Sequence, residues 1–186
     1  AAETMTSGAG DGSSHVLIIA FESADHELDP WMARALECCL NHGGKVPQDA
    51  GRTRKGGSGE RDGAAGAWRK TFLDAPYLRD AIIRLGCISD TFETAITWDR
   101  FEEFHATVSE RVTDALERIC GGGQLSCRFT HVYPDGPAPY FTILAPARPH
   151  SQLEQWDEIK AAAADAVIEL GGTITHHHAV GRDHRP

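Results

Sequence analysis

The feature that most limits what this chain can fold into is an alternation of two periodicities after residue 87. "ISDTFETAITW", Ile88 to Trp98, puts Ile88, Phe92, Thr94, Ile96 and Trp98 on one side at period two, which predicts a strand with one buried face. The pattern then steps by three and four through Phe101, Phe104, Val108, Val112, Ala115 and Ile119 and stops at Gly121-Gly122-Gly123, which predicts an amphipathic helix. "QLSCRFTHVY" alternates again, with Leu125, Cys127, Phe129, His131 and Tyr133 on one face. Pro134-Asp135-Gly136 then turns the chain back through "PYFTILAPA" as an antiparallel partner. Ser151 and Glu154 have the spacing of a capping box ahead of a helix carrying Leu153, Trp156, Ile159, Ala163 and Val167. Gly171-Gly172 closes that helix, and a short strand, Thr173 to Thr175, leads into three histidines. Strand, helix, two strands, helix, strand is the split β-α-β order of an α+β, ferredoxin-like fold. Its antiparallel sheet has helices packed on one face and leaves the other free to cover something else.

Upstream the reading is coarser. Residues 1–14 are small and polar and cannot bury enough apolar surface to offset their ordering, so they are expected to form a flexible leader. His15 to Ser23, "HVLIIAFES", reads as a central strand, and Pro30 to His42 as a helix with Trp31, Ala35, Leu36 and Cys39 at helical spacing and Gly43-Gly44 as its stop. Ala50 to Gly66 reads as an exposed, mobile loop. A helix beginning after it is expected to break at Pro76 and resume through Leu85.

Composition narrows the class. With 186 residues and 41% apolar side chains the chain suits one soluble domain from residue 15 to 186. A net charge of −9 and a pI near 5.5 argue against nucleic-acid and anionic-membrane binders, which need a basic field. No apolar run approaches the roughly 18 residues of a membrane span, and the N-terminus has no secretory pattern, so a cytoplasmic location is expected. Cys38, Cys39, Cys87, Cys120 and Cys127 are odd in number and lack C-x-x-C spacing, which reads as buried reduced thiols. Richness in Ala, Gly and Arg reads as bacterial.

Three groups carry candidate chemistry. His176, His177 and His178 can be a strand end with satisfied side chains, a metal site, catalytic residues or a tag remnant. In a strand His176 and His178 would face one way and His177 the other, so one ion could not take all three without a bend. His131 and Tyr133 share a strand face beside a tight turn, where the tyrosine can serve as a base or simply be half-buried with its hydroxyl bonded. Arg79 in "PYLRD" can hold a phosphate or carboxylate through two parallel hydrogen bonds, or pair on a helix surface with Asp80 or another acid.

Taken in order, "FLDAPYLRDAIIRLG", "ISDTFETAITWDR", "CRFTHVYPDGPAPYFTILA" and "GGTITHHHAVGRDHRP" resemble the C-terminal half of FAD-linked oxidases of the vanillyl-alcohol-oxidase type, most closely the alkyldihydroxyacetonephosphate synthase branch. The resemblance runs from about His15 to Pro186. It implies a ferredoxin-like cap that supplies the substrate side of the pocket, with FAD bound mainly by an N-terminal domain that this chain does not match. The chain is therefore expected to be a fragment of a longer enzyme, inactive and without tight FAD binding by itself. The branch exchanges the acyl group of acyl-dihydroxyacetone phosphate for a fatty alcohol, with the flavin as electrophile and no net redox, in ether-lipid synthesis. By resemblance Tyr133 is the candidate for proton abstraction. His177 is the first choice for acid–base work with His176 and His178 in support, Arg79 holds the substrate's anion, and His131 lies in the substrate pocket where the synthase pattern has a glutamine.

Two other classes stay open. FAD-linked 2-hydroxyacid dehydrogenases and oxidases have a similar strand-turn-strand whose H-x-x-x-x-x-x-H spacing and later glutamate hold a divalent metal. His131 matches the first ligand, while the second falls near Tyr140 and the glutamate position is His177, so a metal-free pocket is favoured and His131 with His177 is the metal alternative. The other class is a stand-alone ligand- or metal-binding module. The expected partner is a lipid or hydroxyacid small molecule and not nucleic acid. Peripheral membrane contact of a full-length enzyme and the oligomeric state are left open.

Overall fold

The computed structural model describes Leu17, residues 19–46 and residues 64–178, the side chains of residues 64–72 excepted. Its elements are α1 (Asp29–Asn41), α2 (Ala64–Arg84), β1 (Cys87–Glu93), α3 (Trp98–Cys120), β2 (Gln124–Val132), β3 (Pro137–Pro146) and α4 (Gln152–Glu169). No described helix is long and apolar enough to cross a membrane. The chain divides into two compact units, Ala1–Leu73 and Asp74–Pro186.

In the first unit α1 forms where the spacing predicts it, with Pro30 in the first turn and Gly43 at φ 79 just past the end. None of its residues is buried, and Cys38 is exposed, contrary to the expectation of five buried thiols. All five cysteines are free. The strand expected over His15 to Ser23 is absent at Leu17 and across residues 19–23. A strand needs a neighbour for its N–H and C=O groups, and no described segment provides one. Phe21 instead sets its ring edge-on to Trp31 at 5.8 Å. The expected leader and all of the expected loop but Ala64 to Gly66 lie outside the described residues. Those three residues open α2, which runs through Pro76 without the expected break.

The second unit is the α+β body. Its three-stranded antiparallel sheet has the order β1-β3-β2, with the Pro134-Asp135-Gly136 turn joining β2 to β3 as expected. α3 is amphipathic, buries Phe104, Val108, Val112, Ala115, Leu116 and Ile119, and ends on Gly121 at φ 73. There the Gly121 and Gly122 N–H groups close onto Glu117 O and Leu116 O. These residues meet Ile159, Ala163, Ala166 and Val167 of α4 and the sheet residues Ile88, Phe92, Phe141, Ile143 and Ala145 in one core. Phe92 stacks on its cross-strand partner Phe141 at 4.7 Å. Ser151 stands at the N-terminus of α4, but its side chain makes no capping hydrogen bond, so the capping box is not formed. Thr173 to Thr175 is not a fourth strand either.

One irregularity in the sheet decides where the chemistry goes. Phe129 pairs with Pro139 and His131 with Ala138, so Thr130 is an extra residue in β2, a bulge. Pro137 and Pro139 have no N–H for the ladder, and proline in an inner strand is found at such interruptions. Strand side chains alternate between faces, so one inserted residue reverses everything after it. Leu125, Cys127 and Phe129 keep the face of Phe141 and Ile143. His131 moves to the face of Ala138 and Tyr140, and the single face expected for all five residues is corrected to two.

Candidate functional site

The site lies at the Glu93 end of β1, on the sheet face away from α3 and α4. Glu93 pairs with Tyr140 and is only 3% exposed, an expensive place for a carboxylate without partners. The Thr130 hydroxyl at the bulge donates to its Oε1. His131 Nδ1 lies 3.9 Å from Oε1, while His176 Nδ1 and His178 Nε2 lie 3.6 and 3.9 Å from Oε2.

Thr173 brings the histidines there. Its N–H donates to Ala95 O at 3.1 Å, its hydroxyl oxygen accepts from Ala95 N–H at 2.9 Å, and its carbonyl accepts from the Thr94 hydroxyl at 2.6 Å. Three bonds thus tie the start of the histidine segment to the two residues that follow Glu93. Gly172 permits the approach, since a Cβ there would sit 2.7 Å from the Phe104 ring and 3.0 Å from Thr94 Oγ1. The run itself is bent. The His178 N–H donates to His176 O at 2.9 Å across His177, whose φ of 64 is a conformation that side-chain-bearing residues adopt at a cost of about 1–3 kcal/mol. This tight turn is the bend that an extended run lacks.

The rings form a connected group. His131 stacks parallel to Tyr133 at 5.8 Å, meets His177 edge-on at 4.4 Å and lies 5.3 Å from His176, which is 4.3 Å from His177. The Tyr133 hydroxyl is 3.4 Å from His176 Nε2. Tyr133 is 41% exposed, so this edge of the cluster is open to a ligand. His131 Nδ1 and His176 Nδ1 are buried without a hydrogen-bond partner among the described residues. Beside Tyr133, a cleft of about 290 Å³ is lined by Arg100, Asp135, Gly136 and Thr173 among others.

Five of the six residues singled out from the sequence, His131, Tyr133, His176, His177 and His178, are therefore brought together. The neighbour of the Tyr133 hydroxyl is His176 and not His177, because the turn carries His177 outward. Arg79 stands apart: its Nε–H donates to Ser89 O at 3.1 Å, and its guanidinium lies 3.5 Å from Asp90 Oδ1. Those residues precede Glu93 by four and three positions, roughly 10–13 Å along a strand. Glu93 and Thr130 escaped the sequence reading. Glu93 falls on the face that alternation assigns to solvent, and only the prolines opposite Thr130 signalled the bulge.

The architecture agrees with what the chain is similar to. Alkyldihydroxyacetonephosphate synthase of Caenorhabditis elegans is 36% identical over 118 residues, 62% of this chain and 20% of that protein. The synthase of Trypanosoma brucei brucei is 25% identical over 119 residues, 64% of this chain and 19% of its own length. An uncharacterised FAD-linked oxidoreductase of Escherichia coli K12, YgcU, is 23% identical over 108 residues, 56% of this chain and 22% of that protein. The chain thus spans about a fifth of the length of these relatives. A solved alkyldihydroxyacetonephosphate synthase superposes with a TM-score of 0.52 at 20% identity, over 57% of this chain and 19% of that one, a likeness of fold. The family described as FAD linked oxidases, C-terminal domain, matches residues 13–186, nearly the whole sequence. The chain belongs to that family, and its α+β body is the family's C-terminal domain.

Proposed function

We propose that this chain is the substrate-binding and catalytic cap of a flavin enzyme resembling alkyldihydroxyacetonephosphate synthase, which exchanges the acyl group of an acyl-dihydroxyacetone phosphate for the alkyl group of a fatty alcohol. The observation that carries the reading is the line from the Tyr133 hydroxyl through His176 to the buried Glu93, 3.4 Å and then 3.6 Å. As the Tyr133 oxygen takes a proton from the substrate carbon, its own proton passes to His176 Nε2, and Glu93 stabilises the imidazolium, as a carboxylate does behind a catalytic histidine. Contacts of this length are usual before substrate tightens a site.

His177, at the exposed end of the run, exchanges a proton with the incoming alcohol or the departing acid. His178 shares Glu93, and His131 shapes the pocket against Tyr133. Arg79 takes no part in these proton transfers, since its guanidinium is held by Ser89 O and Asp90. The FAD of the family supplies the electrophilic, redox-capable ring when bound. Imidazoles backed by a buried carboxylate beside a half-exposed tyrosine fit the substrate side of such a ring. No described residues are assigned to the flavin itself.

A second reading is favoured by one observation. Glu93, His131, His176 and His177 each present a ligand atom, and these atoms lie within 4.8 Å of one another. Nitrogen and oxygen ligands bind zinc tetrahedrally at about 2.0–2.2 Å, so two ligands of one ion stand roughly 3.3–3.6 Å apart, and the cluster would have to close by about 1 Å to meet that geometry. The cap would then belong to a metal-dependent FAD-linked 2-hydroxyacid oxidase, with Glu93 supplying the carboxylate that the His177 position lacks.

One experiment separates the readings. The full-length flavoprotein is assayed with acyl-dihydroxyacetone phosphate plus a fatty alcohol and, in parallel, with D-2-hydroxyacids, each with and without a chelator. Ether-lipid formation that survives chelation is the expected result. Flavin bleaching by a hydroxyacid that is abolished by chelation would replace it with the second reading.

A further inference from the structure

The inference concerns which residue fixes the substrate's charge, and it rests on the reading that substrate reacts at Tyr133 and the histidines. Glu93 pairs with Tyr140, and Tyr140 with Arg128, so the three occupy one row across the sheet on the same face. At about 4.8 Å per strand, the Arg128 backbone stands roughly 10 Å from that of Glu93. Tyr140 links them. Its hydroxyl donates to Thr91 Oγ1 at 3.1 Å, which pins the ring. The His178 ring meets it edge-on at 5.2 Å, and the Arg128 guanidinium lies over it at 4.4 Å.

Five other described arginines are occupied, and Arg84 and Arg148 are exposed. Arg34, Arg79, Arg111 and Arg118 face carboxylates, and Arg100 donates to Leu170 O. Arg128 is half-buried, makes no ion pair with any described residue, and has a buried Nε without a hydrogen-bond partner among them. On the same face His131 Nδ1 and His176 Nδ1 are also buried without a hydrogen bond, although both face Glu93 at 3.9 and 3.6 Å. Buried donors without acceptors are rare in folded proteins, and a guanidinium keeps its charge at every working pH. A planar cation held over an aromatic ring, with its N–H fork unspent, is built to receive an oxyanion.

We propose that Arg128 is the anion-holding residue of this site, fixing a phosphate or carboxylate of the substrate across Tyr140 from the carbon that reacts at Tyr133. Arg79, spent on Ser89 O and Asp90, then serves to dock α2 on β1.

The test is calorimetric titration of the full-length flavoprotein, without turnover, using dihydroxyacetone phosphate as the phosphate probe and D-lactate as the carboxylate probe. It compares wild type, Arg128→Met, Arg128→Lys and Arg79→Met. A hydrogen-bonded charge is worth enough that Arg128→Met should weaken the binding probe by about 10- to 100-fold, while Arg79→Met changes it less than about 3-fold. Arg128→Lys keeps the charge without the fork and should lie between them, and its melting temperature checks that the fold is kept. The probe that binds names the oxyanion. Unchanged binding in Arg128→Met and Arg128→Lys, a larger loss in Arg79→Met, or binding of neither probe to the wild type overturns the proposal. Because no catalysis is needed, absence of ether-lipid synthesis with normal Arg128-dependent binding would strike the proposed reaction and leave this inference standing.

Discussion

The two faces of the sheet are made by the same strands and held to different rules. On the helix face Phe92, Phe141 and Ile143 are closed over by α3 and α4, and even the buried amide of Gln155 is satisfied, giving Nε2–H to Ile119 O and accepting from Arg148 N–H. On the opposite face a carboxylate is buried among imidazoles that it meets only at 3.6–3.9 Å, and two buried imidazole nitrogens and a buried guanidinium nitrogen make no hydrogen bond among the described residues. Packed faces are completed within the chain, whereas a face completed by a ligand leaves polar groups waiting. Substitutions on the first face should therefore show in stability, and those on the second in function.

The largest expected effect is on the packed face. Phe141→Ala removes a fully buried ring and its stack on Phe92, and it should lower the unfolding free energy by about 3–5 kcal/mol, read from a denaturant midpoint. A shift below about 1 kcal/mol would break the comparison at its stronger end.

Glu93→Gln tests the other face. It keeps the shape and an acceptor for Thr130 but removes the charge behind His176. Turnover of the full-length enzyme should fall by about 100-fold or more while stability moves by less than about 1 kcal/mol. The substitution removes a buried charge and does not strand one in the fold. Destabilisation as large as that of Phe141→Ala would show Glu93 to be structural. Tyr133→Phe should behave in the same direction, since one half-exposed hydroxyl contributes only about 1 kcal/mol to folding.

Thr173 stands between the faces, because it belongs to neither and positions one on the other. Thr173→Val strips the acceptor from Ala95 N–H and should cost about 1–2 kcal/mol. Activity should drop by more than that loss explains, and Thr173→Ser should restore both. If Thr173→Val melts lower yet turns over normally, the anchoring of the histidine run is not what sets the site.

The packed face was largely legible from periodicity. Ile88, Phe92, Thr94 and Ile96 are buried together as period two predicts, although Trp98, expected with them, is exposed at the start of α3. Helix α3 buries the residues that steps of three and four pick out from Phe104 on, with Phe101 only partly buried. Burial is a local signal, repeated several times per element. The ligand face depends on events that occur once. The Thr130 bulge turns His131 over, the His177 turn gathers three histidines, and Thr173 ties two segments 78 positions apart in the case of Ala95. A pattern averaged over a strand carries none of these, although Pro137 and Pro139 in an inner strand were a readable warning. The final strand failed for a related reason, since "TIT" has strand-forming residues but Thr173 spends its bonding groups on Thr94 and Ala95.

The smallest effect tests the seam at the edge of the packed face. Burial pushes the Cys127 thiol up to about 12 from the usual 9.0, because its thiolate would lose solvation beside the core. The folded state therefore holds its proton more tightly than the unfolded state. The resulting stability is fully present below about pH 9 and is lost as pH rises from there towards 12, where the unfolded chain binds fewer protons. Two measurements follow. At pH 8 a thiol reagent should label exposed Cys38 quickly and Cys127 only on unfolding. Between pH 8 and 10.5 the denaturant midpoint of the wild type should fall more steeply than that of Cys127→Ala, whose curve carries every other alkaline titration. Parallel curves together with rapid labelling of Cys127 would mean that the β2 edge opens in the native state, and the division between a closed face and a waiting one would then have to be drawn inside β2, ahead of its bulge.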